Sequence, residues 1–467
     1  MADYARLMPR LAEQDVTVIV LGTASILTLL FVIIALAVTL VIPNFEMPFS
    51  NLIARSVLTG FGILVLIRQV ILVSLSVAGR IKARRTRHGP PMAHWPLVSI
   101  LVPAYNEAEN ISESLSSLLQ QDYPNFEIIV IDDGSKDNTL ALALEFKKNH
   151  DHRRPITVIS KPNAGKASAQ NQGFSQSSGE LVLVMDADSR IERMALRRMV
   201  PSFLNPEIDG VAGQVSIRFD ENLITRMQAI EYAIANGTTR TAQSLWNCVL
   251  LVPGPIGLFR RQALEKVALA LCEQTLSITG EDDTRHGTDP LIAPISAATF
   301  AEDFETSVRV IANGGGIAYE PEAVCYTRPP ANVIALVNQR YRWVRGHLQV
   351  GDLFLNRLRR QGGGKLNGWM CFTCLFDIYL MPFATIVMFA MALTGFMITE
   401  NIGLWAVAIA STFFAFSTIL MYCIASQRVA WRLLLVAPAF VFYQIFVLSG
   451  AFLIAFYDHL RSAKMRW

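Results

Sequence analysis

Acidic side chains stand at three points where a short apolar run of the sequence gives way to polar residues. Glu107 follows the first run, Asp132 and Asp133 follow the second, and Asp186 and Asp188 follow the third. Two carboxylates with one residue between them can share a Mg²⁺ or Mn²⁺ ion with a diphosphate, because Mg²⁺ usually binds one or two carboxylates together with substrate phosphates. The spacing therefore predicts a metal site at Asp186 and Asp188 for a phosphorylated substrate.

Each acidic group also has an ordinary structural explanation. A loop aspartate is more often a solvated turn or a helix cap, and Asp-Asp-Gly-Ser at 132–135 fits an Asx turn before a helix. The turn at 163–166 ends in Lys166, a cation that could meet a phosphate, although an isolated turn of this kind is usually plain surface. The recurrence of acidic groups after three similar runs favours the functional interpretation.

The elements that must position these groups are strands of one sheet. The runs VSILVPAYNE, EIIVIDDGS and ELVLVMDADS are apolar without interruption, which is typical of parallel strands buried on both faces. Helices are predicted between them, over Ala108–Gln120 and Leu140–Lys148. Ligands of such α/β sheets bind at the carboxyl ends of the strands, which is where all the acidic groups fall.

The composition places this α/β domain in a membrane protein. Of the 467 residues, 52% are hydrophobic and only 17% are charged, far from the balance of a soluble enzyme. The net charge of +3 is too small to indicate a nucleic-acid partner, and the basic residues cluster beside apolar runs. The six cysteines are scattered, so no disulfide framework is expected.

Two spanning helices are predicted before the domain and about three after it, since about 20 apolar residues cross a bilayer. Residues 16–42 carry no charge, and a basic cluster follows the second run, 56–78, which predicts that the domain is cytoplasmic. The later apolar runs cover about 368–397, 402–425 and 433–456. Three spans would leave the C-terminus outside, whereas Arg461, Lys464 and Arg466 favour inside, so the number of spans stays open.

The chain is accordingly divided into four parts. They are two spanning helices with a basic cytoplasmic linker (1–90), a cytoplasmic α/β domain (91–330), an amphipathic segment under the bilayer (331–367), and the C-terminal spans (368–467). A multi-pass protein of the plasma (inner) membrane, in contact with the lipid bilayer, is the expected outcome.

An ordered set of motifs resembles the processive, inverting family 2 β-glycosyltransferases that make cellulose, hyaluronan, chitin oligosaccharides and poly-N-acetylglucosamine. The motifs are PAYNE at 103–107, IDDGS at 131–135, MDADS at 185–189, VPGPIGLFRR at 252–261, AED at 301–303 and QRYRW at 339–343. The resemblance implies an α/β fold of the glycosyltransferase A type, inserted between transmembrane helices, that binds a nucleotide sugar.

The resemblance also implies roles for individual residues. Asp303 is the expected catalytic base, and Asp186 and Asp188 are the expected metal ligands. The acceptor sugar is expected to contact Trp343, Glu302 and Gly254. The remaining residues are expected to bind the nucleotide sugar: Tyr105, Glu107, Asp132, Asp133, Lys166, Asp186, Gln339 and Arg342.

The expected partners are a UDP-sugar donor, a growing polysaccharide and possible accessory export subunits. The short length and the run from 227 to 254 are similar to enzymes that polymerise N-acetylglucosamine, so UDP-N-acetylglucosamine is the expected donor. Hyaluronan or glucan synthesis, transfer to a ceramide-like lipid and a catalytically inactive export subunit remain alternatives. Ala301 departs from the threonine common in the family, and the polar region 273–299 fits either a gating loop or an oligomer contact.

Overall fold

The computed structural model describes most of the α/β domain and parts of the flanking helices. The described residues are 68, 71–83, 92, 94–218, 222–279, 293–361, 376–380, 382–383, 386, 420, 423, 433 and 435–463.

One mixed sheet of eight strands forms the framework of the domain. The strands are β1 (Val98–Ala104), β2 (Phe126–Asp132), β3 (Ile156–Ser160), β4 (Leu181–Val184), β5 (Arg190–Ile191), β6 (Ile208–Ile217), β7 (Gly257–Arg260) and β8 (Gly316–Thr327). Their order across the sheet is β3-β2-β1-β4-β7-β6-β8-β5. The three predicted strands, β1, β2 and β4, are parallel as the sequence predicts, and β3, which was not predicted, is parallel to β2. Strand β7 instead runs antiparallel to both β4 and β6.

Helices and turns connect the strands. The helices are α1 (71–83), α2 (Ile111–Leu119), α3 (Thr139–His150), α4 (Lys166–Gln176), α5 (Ala195–Met199), α6 (Leu223–Ile234), α7 (Thr241–Gln243), α8 (Arg261–Thr279), α9 (Glu302–Ala312), α10 (Val333–Gln361), α11 (Ala437–Phe442) and α12 (Ser449–Leu460). A π-helical turn, Ala235–Arg240, joins α6 to α7, and another, Tyr443–Leu448, joins α11 to α12. The two helices predicted in the α/β domain correspond to α2 and α3.

The core lies on both faces of the sheet because successive strand residues point to opposite sides. In β1, Ile100 and Val102 belong to one buried cluster, whereas Leu101 belongs to the cluster on the other face. Helix α2 covers the first face with Ile111 and Leu115, which share one side of the helix at four-residue spacing. This two-sided burial explains why the strands read as uninterrupted apolar runs.

The strand register brings the acidic strand ends to one edge. Ala104 of β1 lies opposite Asp132 of β2, so the loops after these strands start at the same level. Leu101 pairs with Val184 in β4, so Asp186 emerges close to that level. Gly257 of antiparallel β7 pairs with Val184 as well, which directs the turn before β7 toward Asp186.

The membrane predictions are only partly covered by the described residues. Tyr443–Leu460 is one segment there with the length and apolar character of a membrane span, having 18 residues and a hydropathy of 1.3. The predicted span at 16–42 lies outside the described residues, and those at 368–397 and 402–425 lie mostly outside them. Helix α1 covers the end of the 56–78 run and continues through the basic residues Arg80 and Lys82.

The predicted amphipathic segment at 331–367 contains a single long helix, α10. Arg340 and Arg345 of this helix are almost completely buried, with 3% and 4% exposure. Val333 and Ile334 are exposed at its start. These two arginines therefore pack inside the protein, and exposed apolar side chains occur at the start of the helix and again at Leu353.

Candidate active site

The loops after β1 and β2 are joined by polar contacts that hold Glu107 in place. Asn106, in the left-handed region with φ of 55°, donates its N–H to Ser135 Oγ at 3.0 Å. Lys136 N–H in turn donates to Asn106 Oδ1 at 2.8 Å. Glu107 accepts a hydrogen bond from Asn110 Nδ2 at 2.8 Å. Burial raises the pKa of Glu107, and the nearby carboxylate of Asp186 raises it further.

The two aspartates after β2 are both buried but have different surroundings. Asp132 accepts from Ser135 N–H and from Ser160 Oγ, each at 3.3 Å. Tyr105, on the neighbouring loop, is 42% exposed and accessible to a ligand. Both residues stay predictions as nucleotide contacts.

Asp133 is surrounded by protein donors. Its Oδ1 accepts from Lys161 Nζ at 2.6 Å and from Ala164 N–H at 3.1 Å, and its Oδ2 accepts from Gly165 N–H at 2.8 Å. Gly165 has a φ of 89°, a conformation that favours glycine, and Lys166 begins α4 directly after it. Asp133 thus holds the turn that positions Lys166, and a direct nucleotide contact stays a prediction.

Asp186 and Asp188 follow β4 with the buried Ala187 between them. Ser189 N–H donates to the Asp186 carbonyl at 3.1 Å, and Ser189 Oγ donates to Asp188 Oδ1 at 3.0 Å. Burial, together with the charges of Asp186 and Glu107, raises the pKa of Asp188 to about 6. Three carboxylates therefore face one region.

A divalent cation suits the chemistry of this region. The described residues contain no preformed cluster of three or more His, Cys, Asp or Glu side chains suited to a metal ion. Asp186 and Asp188 supply two carboxylates, which is what Mg²⁺ takes from a protein when substrate phosphates complete its shell. The raised pKa of Asp188 reflects its burial first, and then the negative charges of Asp186 and Glu107, which a bound cation would offset.

Lys166 neutralises part of this negative charge. Its Nζ lies 2.7 Å from Asp186 Oδ1 and 3.1 Å from Glu302 Oε1. Burial lowers the pKa of Lys166, but the carboxylates of Asp186, Glu302 and Asp303 outweigh that effect and raise the pKa well above its usual value. Lys166 therefore stays charged and links the ends of β4 and α9.

Gly254 completes the floor of the site. A Cβ atom there would lie 3.0 Å from Lys166 Nζ and 3.4 Å from Asp186 Oδ2, so a side chain would compete with this ion pair. Gly254 N–H donates to Asp303 Oδ2 at 3.2 Å. The turn before β7 thus connects the predicted metal ligand Asp186 with the predicted base.

Asp303 lies in the first turn of α9, where its Oδ1 accepts from Phe304 N–H at 2.7 Å. Burial, together with the neighbouring Glu302, raises the pKa of Asp303 to about 6, although Lys166 acts in the opposite direction. A carboxylate with this pKa is ionised at neutral pH and is a stronger base than an ordinary aspartate.

The predicted motif at 339–343 lies in α10. Burial raises the pKa of Glu302, but Lys166 and Arg342 lower it more strongly, so Arg342 acts electrostatically on the predicted acceptor contact. The Trp343 ring centroid is 6.3 Å from that of Tyr232 in α6. Gln339 Oε1 accepts from Arg340 Nη1. Arg342 and Trp343 are thereby brought to the same site as the strand-end carboxylates.

Sequence reasoning missed three residues here. Tyr232 contacts Trp343, and burial raises its pKa to about 12 with Asp188 among the nearby charges. Arg340 packs its guanidinium over Trp343 at 4.3 Å. Arg240 lies within electrostatic range of Asp303. Only the helical spacing of Arg340 and Trp343 was a usable signal in the sequence.

The region 273–299 is described at its two ends. Ile295 is fixed to α4 by Asn171, which donates Nδ2 to the Ile295 carbonyl at 2.8 Å and accepts from Ile295 N–H at 3.0 Å. Residues 280–292, with the acidic group at 281–283, lie outside the described residues. The described cysteines, Cys248, Cys272, Cys325 and Cys423, form no disulfide bonds.

Residues 99–268 match the family model described as glycosyl transferase family 2. The chain is 35% identical over 254 residues to a poly-beta-1,6-N-acetyl-D-glucosamine synthase of Staphylococcus epidermidis, covering 54% of this chain and 55% of the relative. It is 33% identical, over the same shares, to the synthase of that name from Staphylococcus aureus (strain COL). The chain thus spans about half the length of the curated relatives it matches.

Among solved structures, the mannosyltransferase PcManGT from Pyrobaculum calidifontis, in complex with GDP-Man and Mn²⁺, is similar to this chain. The TM-score is 0.56 and the identity 18%, covering 85% of this chain and 99% of the mannosyltransferase, which supports the fold alone. Together with the mixed sheet and the strand-end carboxylates, these matches confirm the resemblance seen in the motifs. The similarity to glycosyl transferase family 2 therefore covers residues 99–268, the part of the chain that carries Asp132, Lys166, Asp186 and Asp188.

Proposed function

We propose that this protein is a membrane-embedded, inverting glycosyltransferase that polymerises UDP-N-acetylglucosamine into a β-linked polysaccharide at the cytoplasmic face. The observation that carries the proposal is the meeting of Lys166, Asp186 and Asp303 around Gly254. A cation, a predicted metal ligand and a raised-pKa carboxylate are the groups that a nucleotide-sugar transfer needs in one place.

Asp303 takes the proton in this mechanism. An acceptor hydroxyl loses its proton to the carboxylate as its oxygen attacks the anomeric carbon of the donor sugar. The bond from that carbon to the diphosphate oxygen breaks at the same time, and attack from the opposite face inverts the anomeric configuration. The pKa of about 6 suits Asp303 to this task, since the group is ionised before reaction and is a stronger base than an ordinary aspartate.

Positive charge then stabilises the departing nucleoside diphosphate. Lys166 and Arg342 are two protein cations near the acidic groups, and Arg342 belongs to the motif whose arginine is expected to meet the diphosphate. Asp186 and Asp188 would hold a divalent ion, Mg²⁺ or Mn²⁺, which supplies further charge neutralisation to the diphosphate oxygens. The Mn²⁺ in the mannosyltransferase complex of similar fold supports a divalent ion here.

The donor sugar is inferred from the names of the relatives. Both staphylococcal relatives are poly-N-acetylglucosamine synthases by name. A site that hydrogen-bonds the acetamide would reject UDP-glucose, because its own polar groups would be left unpaired.

Polymer synthesis is favoured over transfer to a lipid by the long helix α10 and its connection to the C-terminal segment. Tyr341 OH donates to Asp458 Oδ2 at 2.7 Å, so α10 is anchored to the candidate span Tyr443–Leu460. This arrangement would place the acceptor site beside the bilayer, where a growing chain could leave through the spans, with or without accessory export subunits. The protein would be a multi-pass inner-membrane enzyme.

The donor is tested with the purified full chain in lipid nanodiscs, a divalent metal and an equimolar mixture of UDP-N-acetylglucosamine and UDP-glucose. Preferential incorporation of N-acetylglucosamine into a product of high mass, cleaved by a matching linkage-specific hydrolase, is the expected result. Preferential incorporation of glucose would contradict the donor assignment. A glycolipid as the sole product would replace polymerisation by lipid glycosylation, and no donor turnover at all would favour an inactive export subunit.

A further inference from the structure

Arg340 lies inside the motif at 339–343, yet the family resemblance gives a role only to Gln339, Arg342 and Trp343. The Arg340 side chain is 4% exposed, although it carries a full positive charge. Burial of a charge is costly unless the charge is paired and hydrogen-bonded. Its contacts therefore indicate what the buried charge is for.

On one side, Arg340 contacts two of the motif residues. Its Nη1 donates to Gln339 Oε1, and its guanidinium carbon lies 4.3 Å from the centroid of the Trp343 ring. Arg340 and Trp343 are three residues apart on one helix, so their side chains are neighbours on its surface. A guanidinium over an indole face is a favourable cation–π contact that limits the tilt of the ring.

On the other side, Arg340 forms a two-point ion pair with Glu231 of helix α6. Nη2 lies 2.7 Å from Glu231 Oε2, and Nε lies 3.1 Å from Glu231 Oε1. The same Glu231 Oε2 accepts a hydrogen bond from Tyr443 OH at 2.7 Å. A forked pair of this kind fixes the plane of the guanidinium as well as its position.

The second wall around Trp343 comes from the residue next to Glu231. The rings of Tyr232 and Trp343 have centroids 6.3 Å apart and are inclined at 59°. Helix α6 therefore supplies both the carboxylate that orients Arg340 and an aromatic ring beside the indole. Trp343 is held between two groups whose positions are set by one short segment of α6.

We propose that Arg340, oriented by Glu231, is a positioning residue that sets the angle of the Trp343 indole toward the acceptor sugar. This inference rests on the proposed function, in which Trp343 supports the acceptor. Glu231 links the position of Arg340 to helix α6. Tyr443, which donates to Glu231, links it to the candidate span Tyr443–Leu460. The pair acts through Trp343 and touches neither the reacting hydroxyl nor the anomeric carbon.

The first test replaces Arg340 with lysine, which keeps the charge but loses the fork and the planar face. The measurement is the ratio of sugar transferred to an added oligosaccharide over UDP released by donor hydrolysis. Because the cation–π contact that holds the Trp343 ring is lost, we expect this ratio to fall about 3-fold to 30-fold. Donor hydrolysis is expected to change little, because water needs no aromatic support.

If the change at Arg340 leaves the buried Glu231 carboxylate unpaired and the protein does not fold, a second variant keeps the proposal testable. The double change Glu231→Met with Arg340→Met removes the pair without leaving an unpaired charge, a replacement that proteins usually tolerate. The matched control is Tyr341→Phe, which loosens α10 from the C-terminal helix by removing the hydrogen bond to Asp458. The control is expected to keep the wild-type ratio, whereas the double variant is expected to lose extension selectively.

The outcomes distinguish the positioning role of Arg340 from the proposed function of the whole protein. An unchanged ratio in the folded double variant, or a parallel fall of extension and hydrolysis, overturns the positioning role while wild-type polymer synthesis stands. A fall in the ratio of extension to hydrolysis in Tyr341→Phe as well would assign the effect to the docking of α10. This result would also overturn the positioning role. A wild-type protein that turns over donor but extends no saccharide would overturn the proposed function and, with it, this inference.

Discussion

At the scale of single residues, the site is a balance of charges around Lys166. This cation touches Asp186 and Glu302 and lies close enough to lower the pKa of Asp303. Glu302 acts on Asp303 in the opposite direction. The two neighbours of the base are therefore expected to tune its pKa in opposite senses.

The pH dependence of the reaction should report this balance. Because a base must be ionised, the wild-type rate should rise with pH through about 6, the pKa of Asp303, and level off above it. Glu302→Gln removes a charge that raises this pKa and should move the rise to lower pH, whereas Lys166→Met should move it to higher pH. Shifts of both variants in the same direction, measured as pH profiles of kcat/KM, would contradict the assignment.

The metal dependence of the reaction should change when Asp188 is replaced. Removing a group that merely supports a metal ligand costs about 10-fold to 100-fold in metal affinity, so Asp188→Ala should raise the metal concentration for half-maximal activity at least that much. Asp122, which pairs with Arg197 at 3.2 Å near the opposite ends of the strands, is a suitable control carboxylate. An Asp188→Ala enzyme with wild-type metal dependence would exclude this site.

At the scale of elements, the sequence predicted the strand ends well because their pattern is local. Uninterrupted apolar runs indicate buried strands, and each run ends in the residues that the sheet brings together. The antiparallel strand β7 was not predicted, since four residues after a Pro-Gly turn carry little periodicity. The Glu231–Arg340 pair also escaped prediction, because it depends on how α6 and α10 pack and not on local spacing.

The structure adds to Asp133 a role that local spacing does not reveal. Its motif predicts a nucleotide contact, which stays a prediction, and its oxygens hold the turn before Lys166. Asp133→Ala would leave buried donors unpaired, and we expect it to lower the free energy of unfolding by about 1–3 kcal/mol. Thermal unfolding with and without UDP measures this effect. A variant of wild-type stability whose UDP affinity alone is lost would instead make Asp133 a direct ligand.

A substitution at Trp343 tests whether helix α10 binds the acceptor sugar. Trp343→Ala should reduce extension of an added oligosaccharide far more than hydrolysis of the donor, because an acceptor sugar stacks on the ring and water does not. The ring at 6.3 Å, Tyr232, offers a matched aromatic variant, Tyr232→Phe, that keeps the packing and should keep extension. Equal losses of both activities in Trp343→Ala would assign the residue to folding or to the donor.

At the scale of the whole molecule, composition predicted a sheet joined to apolar helices, and the cytoplasmic location inferred from the basic cluster stays a prediction. The described structure contains the sheet, the long helix α10 and the candidate span Tyr443–Leu460, which α10 contacts through Tyr341 and Asp458. The number of spans and the side of the C-terminus depend on weak charge signals at helix ends. The sugar likewise depends on a few contacts in one pocket, which composition does not encode.

The most direct test of the central claim is a comparison of wild type with Asp303→Asn. The full chain in nanodiscs receives UDP-N-acetylglucosamine and Mg²⁺ or Mn²⁺, and UDP release, polymer yield and donor affinity are measured together. The account predicts that the variant binds the donor nearly as well as wild type but turns it over at least about 100-fold more slowly, as loss of a general base requires. Comparable polymer yield from Asp303→Asn would contradict the account.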